Sequence, residues 1–525
     1  MKKILFSILS NEIDLIKSSR VINSYYLNNP SSEISLLCYK KDYEAAKIVK
    51  NVKNIFCLDA DEINTFLNVE VYPDALAINT FTSNIREVLE TTWDCAINLS
   101  NDTVSSYLLS GISSNEIIGS HIGNYGSVVT TNDWNTFLNA VSSKEPMRTI
   151  SIEDVKSHML QSPIDTEIEV IKVDRELALT ANTNFNKIRG SKNEGNAIVV
   201  GISLTDGRYK EYFDNDSLIE VIDVLETSRE FKPVLITSGN EYEKDTVNKL
   251  NAEFNNSLIT INAQTQSISA IMNNLDCLIS CSNSSIAIAE ACDTFCIELV
   301  NEGNLEIVEA EGNFILETRT SYVDDIFYLL NTKFQTILPV STTSTQNSVY
   351  ETLRDDFGYF KSLVHGNVDI HRELSYHLKR CYNFTLLGYP TNNELLRNLR
   401  EQIPQDTLMN YIEFNKEEIT IYVKTLLTSL RSLKSTKETG QNTEMFIRSL
   451  DTLISSARDN TLASGALGLL DGRIENITST DRADNITQIE KYLFELKSDL
   501  QLLTNIFGDL LSQSRKRIID TSQEV

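Results

Sequence analysis

Three loops in the second half of the chain carry residue types that could hold a diphosphate. A β-rich run ending at Ile202 leads into Ser203-Leu-Thr-Asp-Gly-Arg-Tyr-Lys210, which offers hydroxyls at Ser203 and Thr205 and cations at Arg208 and Lys210. Hydroxyls, backbone N–H groups and one or two cations can neutralise a diphosphate without metal. An ordinary strand-to-helix turn is the other reading of the same residues. The next run ends in Thr237-Ser-Gly-Asn-Glu241, where Gly239 permits close backbone approach and Glu241 could accept from ribose hydroxyls. In the third loop Ser282, Asn283, Ser284 and Ser285 precede the apolar stretch Ile286–Ala291. Four small polar residues there either cap a helix or present its free N–H groups and positive dipole end to an anion. In the first half, Ile4–Leu9 enters Ser10-Asn-Glu-Ile-Asp14. Asp14 is then a first-turn residue facing the helix dipole, or a general base.

Other chemistry-bearing patterns are weaker. Asp59-Ala-Asp61 and Asp214-Asn-Asp216 fit the Asp-x-Asp of metal-dependent transferases, but so acidic a chain yields such matches by chance. Cys277-x3-Cys281 and Cys292-x3-Cys296 resemble metal-ligand pairs. Both sit in strand-like runs, where residues four apart lie about 13 Å from each other, so reduced core thiols are the expectation. The five histidines form no HExxH or i, i+4 pair, and His371 and His377 fall on a helical stretch.

The elements that must position these loops alternate along the first two-thirds of the chain. Runs such as Ile4–Leu9, Ile34–Cys38, Ile55–Leu58 and Cys95–Leu99 are separated by amphipathic stretches such as Ile13–Tyr26. A second series begins at Ala197-Ile-Val-Val-Gly-Ile202 and continues through Pro233–Thr237, Leu258–Ile261, Cys277–Ser280 and Phe295–Leu299. Alternation of this kind specifies βαβ units, here as two parallel-sheet halves, with ligands bound outside the carboxyl ends of the strands. The predicted class is α/β, two Rossmann-like domains facing across a cleft, followed by an α-helical bundle. Residues 1–187 form the first half with its connection, 196–338 the second, and 349–525 the helical region. An exposed hinge is expected at 188–196 and a polar linker at Ser341–Ser348.

In the helical region Ile486, Ile489, Leu493, Leu496, Leu500, Leu503, Phe507 and Leu510 alternate three and four residues apart. Ile419, Val423, Leu426, Leu430 and Leu433 repeat the spacing, and Phe446, Leu450, Leu453 and Ala457 add a shorter stripe. This heptad pattern describes an intramolecular antiparallel three-helix bundle, or a coiled coil joining copies or partners. Arg515-Lys-Arg517 complements the last helix's C-terminal dipole.

Composition narrows the function. The 525 residues hold 47 basic and 73 acidic side chains, a formal charge of −26. Such a surface repels polyphosphate and excludes sequence-independent nucleic-acid binding as the main activity. No run reaches the roughly 18 apolar residues of a membrane span, and the opening Met-Lys-Lys followed by Ile4–Leu9 reads as a buried strand rather than a signal peptide.

Taken in order, the loops resemble glycosyltransferase family 9, the heptosyltransferases of GT-B type. Asp14 falls on the family's catalytic aspartate. Asp94–Ser100, Ser105–Gly111 and Ile117-Ile-Gly119 resemble the segment reaching an Ile-Gly turn, and Asn132-Asp-Trp134 through Leu138 with Ile152-Glu-Asp154 resembles the connection of longer bacterial members. Gly201 through Lys210 and Tyr212 is similar to a loop ending in Lys-x-Trp, Gly239-Asn-Glu241 to a Gly-x-Glu turn, and Ser282 through Ala291 to the donor loop and its helix. The resemblance covers about 1–340 and leaves the helical tail outside it. Ile13, Tyr212, Ser282 and Ala287 depart from the family's Gly, Trp, Asp and His.

The resemblance implies an inverting transfer from a nucleotide-activated sugar, with ADP-heptose as the donor suggested, to a bacterial glycan or protein. Asp14 would be the base, and Ser203, Thr205, Lys210, Gly239, Glu241, Ser282, Asn283, Ser284 and Ser285 would bind the donor. It implies no cofactor and no metal, and a cytoplasmic location or peripheral attachment at the inner membrane. The departures motivate a second reading, a catalytically inactive GT-B scaffold that assembles with partners through its helical tail. A sugar-nucleotide epimerase of similar architecture is a third.

Overall fold

The computed structural model describes residues 1–523 apart from 69–71, 101, 124–125, 141–147, 165–169, 191–196, 206–214, 229, 264, 282, 302–304, 306–310, 320, 341–345, 356, 364–365, 391–402, 458–460 and 478. Most of the expected hinge and linker therefore lies outside the described residues. The chain divides into two compact units. One holds 1–105, 111–117 and 160–368; the other holds 106–110, 118–159 and 369–525.

The first unit contains both α/β halves. In the first half β1 (Lys2–Ile8), β2 (Ser32–Tyr39), β3 (Val52–Leu58), β4 (Cys95–Asn98) and β5 (Ile117–Ile118) form a sheet in the order β3-β2-β1-β4-β5. The pairings β1–β2, β1–β4 and β2–β3 are parallel. Ile4 lies beside Ile34 and Cys95, and Phe6 beside Leu36 and Ile97. Ile4 through Ile8 are buried without a break, because helices cover both faces of a parallel sheet and leave no alternation to read.

After the short hairpin of β6 (His121–Ile122) and β7 (Val128–Val129), which belongs to the other unit, the second half begins. Its strands are β8 (Ile198–Ser203), β9 (Phe231–Thr237), β10 (Ile259–Asn262), β11 (Cys277–Ser280), β12 (Cys296–Asn301), β13 (Phe314–Thr318), β14 (Ser348–Arg354) and β15 (Gly358–Ser362). They are ordered β10-β9-β8-β11-β12-β13-β14-β15. The first six follow the Rossmann order and are parallel; β14 and β15 return antiparallel. Residues 349–354 and 358–362, expected in the helical region, are thus sheet. Val349, Tyr350 and Phe360 are buried, and antiparallel pairing of β14 with β13 and of β15 with β14 gives their backbone groups partners. The eight cysteines are free, and Cys277, Cys281 and Cys296 are buried as core thiols.

The second unit is helical, with more partners than the three stripes implied. Helices Ile370–Leu386, Gln405–Thr439, Thr443–Ser456, Ser464–Glu475 and Arg482–Gln523 share one core. Leu493, Leu496, Leu500, Leu503, Phe507 and Leu510 are all buried in it with Leu426, Leu433, Leu453 and Leu467. The heptad seam is therefore occupied within the chain. Residues 118–159, expected to belong to the first half, pack here: Arg473 meets Asp133 at 3.0 Å, and Asn383 donates to Thr149 Oγ1 at 2.8 Å. The first-half sequence pattern carries no mark of this grouping, because groups such as Asp133 and Thr149 meet partners far along the chain.

Candidate functional site

The Rossmann strand order reverses between β8 and β11, and the loops leaving these two strands meet there. Ser203 ends β8 and Thr205 follows it, both buried. Across from them the helix Asn283–Ala291 starts just beyond β11 and carries the buried Ser285 in its first turn. The three hydroxyls form a triangle: Ser203 to Thr205 at 2.8 Å, Ser203 to Ser285 at 3.1 Å and Thr205 to Ser285 at 2.8 Å. The triangle pins the β8 loop to the start of the helix. The start of that helix, with the partial positive charge of its dipole, is thereby held at the strand ends. Ser284 is half-buried on the same turn. Lys210, Arg208, Tyr212 and Ser282 lie outside the described residues, as does the side chain of Asn283.

The loop after β9 is organised by a residue whose role no local motif announced, Glu243. Glu243, fully buried, accepts from the Ser238 N–H at 2.5 Å, the Ser238 hydroxyl at 2.8 Å, the Gly239 N–H at 3.0 Å and the Asn240 amide at 2.6 Å. Asn240 in turn caps the helix Glu241–Glu253 by accepting from the Glu243 N–H at 2.9 Å. An Asn followed three positions later by Glu is a capping-box pattern, a signal that marks this helix start and so the position of Glu243, but not its bonds to Ser238 and Gly239. Gly239 sits at φ +84°, and a Cβ there would lie 2.7 Å from the Asn262 amide nitrogen at the end of β10. Its need for glycine is thus both conformational and steric. Glu241 is exposed, on the first turn of the same helix.

Asp14 occupies the first turn of the helix Glu12–Asn28, above the point where the first sheet's order reverses. The ends of β1 and β4 are stitched there: Leu9 N–H donates to the Ser100 hydroxyl at 2.6 Å, and Leu99 N–H to the Ser7 carbonyl at 3.0 Å. Asn11 accepts from the Asp14 N–H at 2.9 Å and donates its amide to the Asp14 carboxylate at 3.3 Å. Asn11 is thus the cap, and Asp14 lies in the first turn with a half-buried carboxylate. Close by, burial and the neighbouring Asp42 raise the Glu12 carboxyl above its ordinary value.

The two halves touch through the helices that bear these residues. Helix Glu12–Asn28 packs on helix Asn283–Ala291, and the buried Arg20 donates to the Glu290 carbonyl at 2.8 Å, with Asp293 3.6 Å away. A guanidinium at the carbonyl end of a helix is favoured by the helix dipole. Nothing local in the sequence marks Arg20, since its partner lies 270 residues on. Among the described residues no group of three or more His, Cys, Asp or Glu side chains is placed to hold a metal, and no helix is long and apolar enough to cross a membrane.

No protein-family model matches this chain, and no curated protein does. Among solved structures it is similar to a family 9 glycosyl transferase from Veillonella parvula, at 16% identity and a TM-score of 0.45, over 64% of this chain and 90% of that one. It is also similar to the E. coli ADP-heptose LPS heptosyltransferase II, at 9% identity and 0.43, over 64% and 100%. The E. coli heptosyltransferase WaaC with ADP-2-deoxy-2-fluoro heptose matches at 10% and 0.43, over 57% and 89%. These are proteins of the group that the loops resemble.

Proposed function

We propose that this chain is an inverting glycosyltransferase of GT-B type that takes its sugar from a nucleotide-activated donor and needs no metal. The observation that carries the reading is the hydroxyl triangle of Ser203, Thr205 and Ser285, which fixes a helix N-terminus at the topological switch point of the second sheet. That is where an open parallel sheet offers an anion site. The diphosphate of the donor would rest against the N–H groups around Asn283–Ser285, with Lys210 supplying a cation. Asp14, carried by the helix that packs on Asn283–Ala291, would take the proton of an acceptor hydroxyl. That oxygen then bonds to the anomeric carbon from the face opposite the diphosphate. The carbon–oxygen bond to phosphate breaks, and its electron pair leaves with the nucleoside diphosphate. Donors fixed in advance at the developing charge are worth on the order of 3–4 kcal/mol each. An ADP-heptose donor and a bacterial glycan or protein acceptor are the finer form of the proposal, with the cytoplasm or the inner-membrane face as its setting.

Calorimetry with ADP, UDP and GDP tests the donor half. Binding of at least one is expected, and binding of none refutes it. Asp14→Asn should abolish transfer and leave donor affinity nearly intact; unchanged transfer removes the role of Asp14. One observation favours the second reading, an inactive scaffold: Asp14 is already engaged by Asn11, and Ala287 is a buried core residue of the donor helix. That scaffold binds no nucleotide and works through its helical unit.

A further inference from the structure

Cys38 and Cys57 stand directly opposite each other on the parallel strands β2 and β3. Neighbouring strands run about 4.8 Å apart, and equivalent residues of a parallel pair point to the same face. That spacing falls inside the range of about 4.4–6.8 Å that a disulfide spans between Cα atoms. The two thiols differ in access. Cys38 is fully buried, its sulfur 3.9 Å from the Phe56 carbonyl oxygen. Cys57 is partly exposed and lines a cavity of about 370 Å³ together with Lys40, Tyr43, Asp59 and Asn84. Lys40 is anchored at the cavity by Asp59, 2.6 Å away. Among the other six cysteines only Cys292 is not buried.

We infer that Cys38 and Cys57 are a reversible dithiol–disulfide pair, in which Cys57 meets a small-molecule disulfide entering the cavity and Cys38 resolves the adduct from behind. The hydrogen bond from Cys38 holds the Cys57 thiol below its ordinary value, against partial burial and with help from the Lys40 ammonium. The same contact, with burial, pushes the Cys38 thiol up, so the accessible sulfur ionises first.

Chemically, the Cys57 thiolate attacks one sulfur of glutathione disulfide. The reagent's S–S bond breaks, a mixed disulfide forms on Cys57, and one glutathione thiolate leaves. Cys38 gives its proton to that thiolate and its sulfur attacks the Cys57 sulfur. The mixed disulfide breaks, and the second glutathione departs and takes a proton from solvent, replacing the one Cys57 lost on ionising. Two protein thiols are oxidised by two electrons, and one glutathione disulfide is reduced to two glutathiones.

The full-length chain is treated with glutathione disulfide at neutral pH, quenched by alkylation and mapped by peptide mass. A peptide pair linked through Cys38 and Cys57, lighter by two hydrogens than the free peptides, is expected. Cys38→Ser should stop the reaction at glutathionylated Cys57, and dithiothreitol should reverse both products. The inference is overturned if Cys57 stays unmodified while Cys292 reacts. It is equally overturned if the wild-type chain accumulates the Cys57 adduct to the same extent as Cys38→Ser. Neither readout depends on sugar transfer, so this inference and the transferase proposal fail separately.

Discussion

Replacing Glu243 by Gln tests whether one buried carboxylate holds the loop after β9. One oxygen accepts from the two backbone N–H groups of Ser238 and Gly239, the other from the Ser238 hydroxyl and the Asn240 amide. A glutamine can keep its oxygen toward the backbone pair, but its NH2 then faces the Asn240 NH2 at a site where 2.6 Å separates the heavy atoms. Asn240 cannot turn over to relieve this, because its own oxygen caps the helix at the Glu243 N–H. The Asn240 bond is lost, the Ser238 hydroxyl must reverse to accept from the new NH2, and the two backbone bonds weaken from charge-assisted to neutral. Hydrogen bonds to charged groups contribute about 1.5–3 kcal/mol and neutral ones about 1 kcal/mol. Ser238 and Asn240 are exposed, so water recovers part of the loss. The net cost is about 2–3 kcal/mol of local stability, equivalent to roughly 30- to 150-fold faster exchange of the Ser238 and Gly239 amides. Native-state hydrogen exchange measures this site by site, and Glu241→Gln on the exposed side of the same turn is the control. Protection unchanged in Glu243→Gln, or lost equally in Glu241→Gln, refutes the reasoning.

Two further outcomes follow from the packing. Gly201→Ala in β8 would bring a Cβ to 2.7 Å from the Leu275 Cδ1 and 2.9 Å from the Ile236 Cδ1, costing about 1–3 kcal/mol. Adding Leu275→Ala should lower the cost of the Gly201 change without abolishing it, since the Ile236 contact remains, and denaturation of the double variant against Leu275→Ala alone checks it. In the helical unit, burial pushes the Asp499 carboxyl up from 3.8 to about 6, against Arg473 and with Glu495 and Asp133 adding to the rise. The folded chain therefore binds this proton more tightly than the unfolded chain between those values. Stability contributed by the protonated group is present below about pH 4 and is lost as pH rises to about 6, at most roughly 3 kcal/mol. Asp499→Asn should flatten that fall, read as the helical circular-dichroism melting midpoint across this pH window; an unaltered slope contradicts it.

Much of the architecture was legible in one dimension because it rests on local periodicity. Alternating β-rich and amphipathic runs define two parallel sheets, and apolar residues three and four apart define the buried stripe from Leu493 to Leu510. Ser203, Thr205 and Ser285 were legible for the same reason: small polar residues collect at strand ends and helix starts wherever the chain turns. Their mutual bonding was not, since it depends on β8 and β11 lying side by side with about 80 residues between them in the chain. The antiparallel return of β14 and β15 and the docking of 118–159 on the tail were likewise decided by long-range pairing. Arg20 is the plainest case. Its identity is written in the sequence, but only the packing of two helices makes it a cap on a carbonyl 270 residues away. Residue types and spacing determine which groups can turn, cap or ionise, whereas the three-dimensional chain path selects which of them meet, because contact energies depend on distance in space and carry no record of distance along the chain.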